Sequence, residues 1–299
     1  MFLTVKINAV RIALIHHELI RDGRGNMTLD DMCKFRQLKE LPTLALESTI
    51  MRMCLIGGGG YFGQNLTLQL QKQGHFVVVL DLSFPKFEGM ELDPFNLKQI
   101  KGSVLNAQSL DEALVDCDAC FHLAGYGMSG GASLEREKIM LINVTGTDMA
   151  LKHCIQNGVK RFIFASSIGV VFGDKEVFDI DESEPYLTNF ANAYCESKAI
   201  CEKKVLAMNS ELMKTVALRF RGIYGPAEPR TTLKTVDMCM RGFILATFEK
   251  SNPCLTQYSS MRNSAYVSRF FSTLIHFEHC ALLPRPLANQ AVKEKDENK

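Results

Sequence analysis

Tyr194 and Lys198 stand four residues apart in the stretch NAYCESKA, a spacing that puts both side chains on one face of a helix. A phenol with its ordinary pKa near ~10 is a poor base at neutral pH. A neighbouring ammonium favours the phenolate and lowers that value, and a bound oxidised nicotinamide, also positive, would lower it further. Tyr194 so placed can take or give the proton of an alcohol. Taken alone, such a pair is more often an ordinary surface pair. The run RFIFASS (161–167) changes that reading, because it ends in two hydroxyls 27 residues upstream of Tyr194. Ser167 is the expected donor to a substrate oxygen on which charge develops, with Ser166 as the alternative.

A second constellation lies near the other end of the chain. CLIGGGGYFG (54–63) places Gly57, Gly60 and Gly63 between an apolar run and a helical pattern. The first glycine permits a tight turn, the second a close approach of backbone to a pyrophosphate, and the third close packing of helix on sheet. Tyr61 and Phe62 fall inside the same phosphate-binding turn, whereas Gly58 and Gly59 read as spacers. The helix N-terminus adds unpaired N–H groups and partial positive charge. Asp81 follows 18 residues beyond Gly63, at the end of the next apolar run. Its carboxylate can accept from both adenosine ribose hydroxyls and would repel a 2′-phosphate, so the expected cofactor is NAD rather than NADP.

Both constellations need a frame that presents strand ends and helix starts at one edge. Short apolar runs supply the strands: 51–56, 75–82, 99–104, 119–125, 161–167 and 215–220. Helical patterns alternate with them, one after the glycines stopping near Gly74, one over 109–116 with Ser109 as cap and Glu112 in the capping-box position, one over about 133–157 and one over about 191–209. Near-continuous apolar strands imply a parallel sheet covered on both faces. The expectation is an α/β chain with a Rossmann-type doubly wound parallel sheet. Residues 1–50 read as an N-terminal extension, partly helical or disordered, 51–230 as the NAD-binding domain with the catalytic residues, and 231–299 as a divergent C-terminal region.

The 299 residues carry a formal net charge of +1, with 46% hydrophobic and 22% charged residues. That is the balance of a globular chain and gives no reason to expect nucleic acid as a partner. The ten cysteines are scattered. Cys117 and Cys120 form one CxxC with no second pair at zinc spacing, so buried, reduced thiols and no metal are expected. No run reaches the ~18 apolar residues of a membrane span. The expected location is intracellular, cytoplasmic or peripherally membrane-associated.

Taken together, GGGGYFG, FHLAGYGMSG (121–130), NVTGTD (143–148), the acids at 181–182 with Pro185, Y-x-x-x-K and LRFRGIYGP (218–226) resemble the extended short-chain dehydrogenases/reductases. Within them the chain is most similar to the 3β-hydroxysteroid dehydrogenase/isomerase group, in its family 42E branch, over about 52–230. The resemblance implies an NAD-dependent oxidoreductase acting on a secondary alcohol or its ketone, most plausibly a 3β-hydroxysteroid or sterol. It implies further roles as well. Leu123, Ala124 and Gly125 would line the cofactor path, Asn143 would support the site, Lys198 would also hold the nicotinamide ribose, and Gly222 and Tyr224 would flank the nicotinamide. A homodimer paired through helices of the Rossmann domain is the implied assembly. Four residues depart from the family pattern: Ile56 for Thr, Ser103 for Asp, Phe220 for Pro, and Arg221, which puts a charge beside the nicotinamide loop. Only 69 residues follow Arg230, so a truncated substrate lobe is expected. HxxH at His276 and His279, with Cys280 beside it, reads as an ordinary amphipathic surface. Two alternatives stay open: a catalytically impaired NAD-binding regulatory protein, and a nucleotide-sugar epimerase or dehydratase.

Overall fold

In a computed structural model of the chain, residues 50–173, 182–226, 228–229, 232–243, 258–261, 264, 268 and 281–282 are described, and they belong to one compact unit. The expected N-terminal extension and the HxxH pair therefore lie outside the described residues, as does most of the C-terminal region.

The first strand, β1 (Arg52–Ile56), is buried on both sides from Met53 onward. Alternation along it divides the core. Cys54 and Ile56 join Val78, Leu80, Phe162 and Phe164 on one face, while Met53 and Leu55 join Val77, Val79, Phe121 and Ile163 on the other. Helix α1 (Tyr61–Gln71) covers the second face with Leu66 and Leu70. Strand β2 (Phe76–Asp81) pairs parallel with β1, and β3 (Leu97–Lys101) with β2. The chain then returns through α2 (Ala107–Leu114) to β4 (Ala119–His122), on the opposite side of β1. Next come α3, β5 (Arg161–Ser167), α4 (Ala193–Ala207) and β6 (Lys214–Phe220). Helix α3 starts as Arg136–Ile139, passes through a π-helical stretch at Met140–Thr145, and continues as Gly146–Gln156. Beyond β6, a short pair forms between β7 (Gly222–Tyr224) and β8 (Tyr258–Ser260), α5 spans Thr232–Met240, and β9 (Ala281–Leu282) adds to β6.

The main sheet runs β3-β2-β1-β4-β5-β6-β9, all parallel. This is the doubly wound arrangement that the sequence predicts. The winding reverses between β1 and β4, and ligands of such sheets bind outside the strand ends at that point. Each fully buried Leu, Ile or Phe here contributes about 1.5–3 kcal/mol.

Three local expectations shift. Helix α2 starts two residues earlier than read, because Asn106 caps it by accepting from Ser109 N at 2.8 Å, which makes Ser109 an interior residue. Strand β3 also starts two residues early, launched by a turn in which Asp93 accepts from Phe95 N at 2.9 Å. The helix expected over 133–157 is interrupted by the π stretch, which no hydrophobic period announces. Cys54, Cys117, Cys120 and Cys154 are buried free thiols, and burial pushes the Cys120 thiol up. Among the described residues no helix is long and apolar enough to cross a membrane.

Candidate functional site

The glycine turn between β1 and α1 is built by contact from every side. Gly57 has φ +82°, a conformation that favours glycine, and its N–H donates to Leu80 O at 2.7 Å. A Cβ on it would stand 2.4 Å from Ala124 N, because Leu123 and Ala124 N–H both donate to Ile56 O across the top of β4. Gly63 lies so close to Gly58 that a Cβ would approach its Cα to 2.4 Å. Gly58 and Gly59 are not spacers. A Cβ on Gly58 would meet Leu55 Cβ at 2.7 Å, and one on Gly59 would meet Ser83 O at 2.1 Å. Gly60 is the exception, since a Cβ there would meet nothing within 4 Å.

That open space faces the start of α1. Gly60 is the N-cap, no side chain caps the helix, and its first turn holds no acid. The first N–H groups are thus available to an anion. Asp81 accepts from Gly59 N at 2.8 Å through Oδ2 and from Ser83 N at 3.3 Å through Oδ1, which aims the carboxylate at the turn. Each oxygen retains a lone pair for a ribose hydroxyl. A dinucleotide fits these groups, with its pyrophosphate at Gly60 to Gly63 and a ribose at Asp81. The side chains of Tyr61 and Phe62 are committed to the protein. Tyr61 Oη donates to Pro226 O at 2.8 Å, and Phe62 packs edge-on against Phe220 with ring centroids 5.2 Å apart. What these two residues offer a cofactor is backbone.

The other half of the crevice lies at the ends of β5 and β6. Asn192 caps α4 by accepting from Cys195 N at 2.9 Å, so Tyr194 and Lys198 occupy its first turns. Tyr194 is half-buried and Lys198 is buried. Lys198 Nζ donates to Ala165 O at 2.8 Å, lies 4.7 Å from the Phe164 ring centroid and 5.7 Å from that of Tyr194. Burial lowers its pKa to about 8. A Cβ on Gly125 would come within 3.4 Å of this ammonium. Ser167 Oγ accepts from Gly169 N at 3.2 Å, and its proton has no protein acceptor among the described residues. Ser166, pointing the other way as strand alternation requires, donates to the buried Glu202. Gly222 opens β7 just past β6 and is exposed, as is Tyr224.

Asn143 sits in the π stretch, buried, with its side chain wholly engaged. Its Oδ1 accepts from Tyr126 N at 2.8 Å, and its Nδ2 donates to Tyr126 O at 3.0 Å and to Ser197 Oγ at 2.8 Å. It holds the 123–126 loop against α4 rather than reaching into the crevice. The extra residue of a π turn is often found at such sites.

One group escaped the sequence reading. Glu202 is fully buried and binds Arg219 through Nη2 at 2.8 Å and Nε at 2.9 Å, with Tyr186 Oη donating to it at 2.9 Å. This cluster joins α4 to the ends of β5 and β6 and to the 182–190 segment. Its signal was present, because Tyr194, Lys198 and Glu202 recur every four residues on one face. Ser103, for its part, accepts from Leu105 N at 3.2 Å.

A family model described as the 3-beta hydroxysteroid dehydrogenase/isomerase family matches residues 54–260. The short-chain dehydrogenase/reductase family 42E member 1 of Xenopus laevis is 35% identical over 218 residues, covering 70% of this chain and 55% of that relative. The chain spans about half the length of the curated relatives it matches. Among solved structures, an epimerase from Methanothermobacter thermautotrophicus is similar at TM-score 0.55 and 28% identity, covering 61% of this chain and 55% of that one. A UDP-glucose 4-epimerase from Brucella ovis, solved with NAD, shares the fold at TM-score 0.63 and 23% identity, with 74% and 73% covered.

Proposed function

Because the chain belongs to the 3-beta hydroxysteroid dehydrogenase/isomerase family, we propose that it is an NAD-dependent oxidoreductase acting on a secondary alcohol. The observation that carries this reading is the buried Lys198, four residues after Tyr194 and bonded to Ala165 O beside Ser167. When bound, NAD supplies the oxidant for the alcohol carbon. Backbone groups of Gly57, Gly60, Tyr61, Phe62 and Gly63 hold its pyrophosphate, and Asp81 its adenosine ribose. Leu123, Ala124 and Gly125 form the floor that Asn143 steadies, Lys198 holds the second ribose, and Gly222 borders the nicotinamide.

The protein's own part in the reaction is proton transfer. Tyr194 takes the hydroxyl proton as the carbonyl forms. The Lys198 ammonium favours the phenolate that makes this possible. Ser167 donates its hydroxyl proton in a hydrogen bond to the same substrate oxygen and stabilises the charge that grows there. The family supports a 3β-hydroxysteroid or sterol as substrate. The Methanothermobacter epimerase at 28% identity favours a second reading, an epimerase; were its substrate a nucleotide sugar, the secondary hydroxyl would meet the same three residues.

The test is an NAD titration followed by a panel of 3β-hydroxysteroids and UDP-sugars, read by NADH formation or sugar epimerisation. Turnover of either class, lost in Tyr194→Phe with NAD affinity retained, supports the mechanism. NAD binding with no turnover of either class would instead make the chain a cofactor-binding regulatory protein.

A further inference from the structure

Arg221 has no role in the chemistry above, yet it follows directly on Phe220, which stands opposite Ser167 in the β5–β6 register. It therefore leaves the sheet at the edge where the substrate oxygen must lie. Its guanidinium is half-buried and rests over the Phe172 ring, 5.6 Å from the centroid. Phe172 comes five residues after Ser167 and is 42% exposed. No carboxylate among the described residues pairs with Arg221, and burial alone holds its pKa below the usual value. Its neighbour in sequence, Arg219, shows the contrast, since it is fully buried and paired with Glu202.

A guanidinium that is partly desolvated without a counter-charge is unfavourable. A cation–π contact with an aromatic ring leaves the forked N–H edge for a planar or tetrahedral oxyanion. We propose that Arg221 anchors an oxyanion carried by the substrate, so that the alcohol handled by this chain bears a sulfate, phosphate or carboxylate group away from its reacting carbon. Phe172 holds the guanidinium in place. The proposal rests on the functional reading above, because the crevice is the one between Ser167 and Tyr194, and it narrows the substrate to anionic alcohols.

The test is equilibrium binding to the NAD-loaded protein, by calorimetry, of two matched probe pairs. One is a neutral 3β-hydroxysteroid diol against the sulfate ester of its far hydroxyl, and the other is glucose against UDP-glucose. A charge-assisted pair predicts roughly tenfold or greater preference for the anionic member of at least one pair, and which pair shows it identifies a sulfate or a phosphate source. Arg221→Gln should remove the preference with NAD affinity unchanged, and Arg221→Lys should restore part of it. On the unaltered protein, inorganic sulfate should displace the anionic probe and not the neutral one, a readout that does not depend on how well the variants fold. The proposal is overturned if the anionic member is not preferred, if Arg221→Gln weakens both members alike, or if NAD affinity falls in step, which would give the arginine to the cofactor. Turnover separates the two readings. Anchored binding without oxidation refutes the proposed reaction and keeps the anchor, whereas oxidation of the neutral probe without anionic preference does the reverse.

Discussion

Between β1 and β2 the chain positions its ligand groups with backbone, whereas between β5 and β6 it uses side chains that other side chains hold. In the first region function depends on atoms that are absent, since Gly57, Gly58, Gly59 and Gly63 each lie where a Cβ would approach another heavy atom to 2.7 Å or less. In the second region Lys198 is anchored on Ala165 O, Ser166 on Glu202, and Glu202 on Arg219 and Tyr186. The difference teaches where each half is vulnerable. A glycine turn fails by overfilling, and a side-chain network fails by losing a partner that leaves another buried group unmatched.

Four experiments break or sharpen that contrast. Tyr194→Phe should give the largest effect, a fall in kcat of roughly 10²–10⁴-fold with the NAD dissociation constant held within about twofold. A loss of NAD binding in this variant would mean that the two halves are not separable. Next come two substitutions on adjacent glycines. Gly59→Ala must displace Ser83 O and should destabilise the fold by about 1–3 kcal/mol, visible as a lower Tm. Gly60→Ala meets no protein atom, so its Tm should stay near that of the parent while NAD affinity drops. Equal melting temperatures for the pair would show that the turn relaxes. Asp81→Asn keeps an acceptor for Gly59 N but removes the charge, so the NAD-over-NADP preference should shrink by about tenfold, measured by titrating both cofactors.

The last effect is a pH dependence of stability. Burial lowers Lys198 from 10.5 to about 8, so between those values the unfolded chain binds more protons than the folded one. Stability should therefore rise from about pH 8 to pH 10.5, and fall back as pH drops through 8. Lys198→Met should flatten that segment of a pH–Tm curve.

Both halves were legible in the sequence to different depths. The glycine turn could be read outright because strand, glycines, helix and Asp81 lie within one contiguous unit, and local order fixes their geometry. Its two middle glycines were misread because the atoms that exclude a Cβ there belong to Leu55 and Ser83, and spacing alone does not place them. Tyr194, Lys198 and Ser167 were legible as types and intervals. The choice between Ser166 and Ser167 was not, since it depends on which strand face carries the buried Glu202. The π stretch at Met140–Thr145 was invisible for a related reason, as a single added residue leaves the apolar pattern intact while turning Asn143 toward Tyr126.

The strand order has a consequence for how the molecule is made. Strand β1 is central, and β2 and β3 add outward on one side before β4, β5 and β6 add outward on the other. A chain emerging from the ribosome can therefore dock each new strand on an edge that already exists, and the return from β3 brings β4 to the free edge of β1. The cofactor turn is assembled by the time Ala124 has been synthesised, about a hundred residues before Pro226 arrives to receive the Tyr61 hydroxyl. Nascent chains arrested between Ala124 and Ser167 would carry the glycine turn without Ser167, Tyr194 or Lys198, and a dinucleotide present during translation would favour the growing sheet.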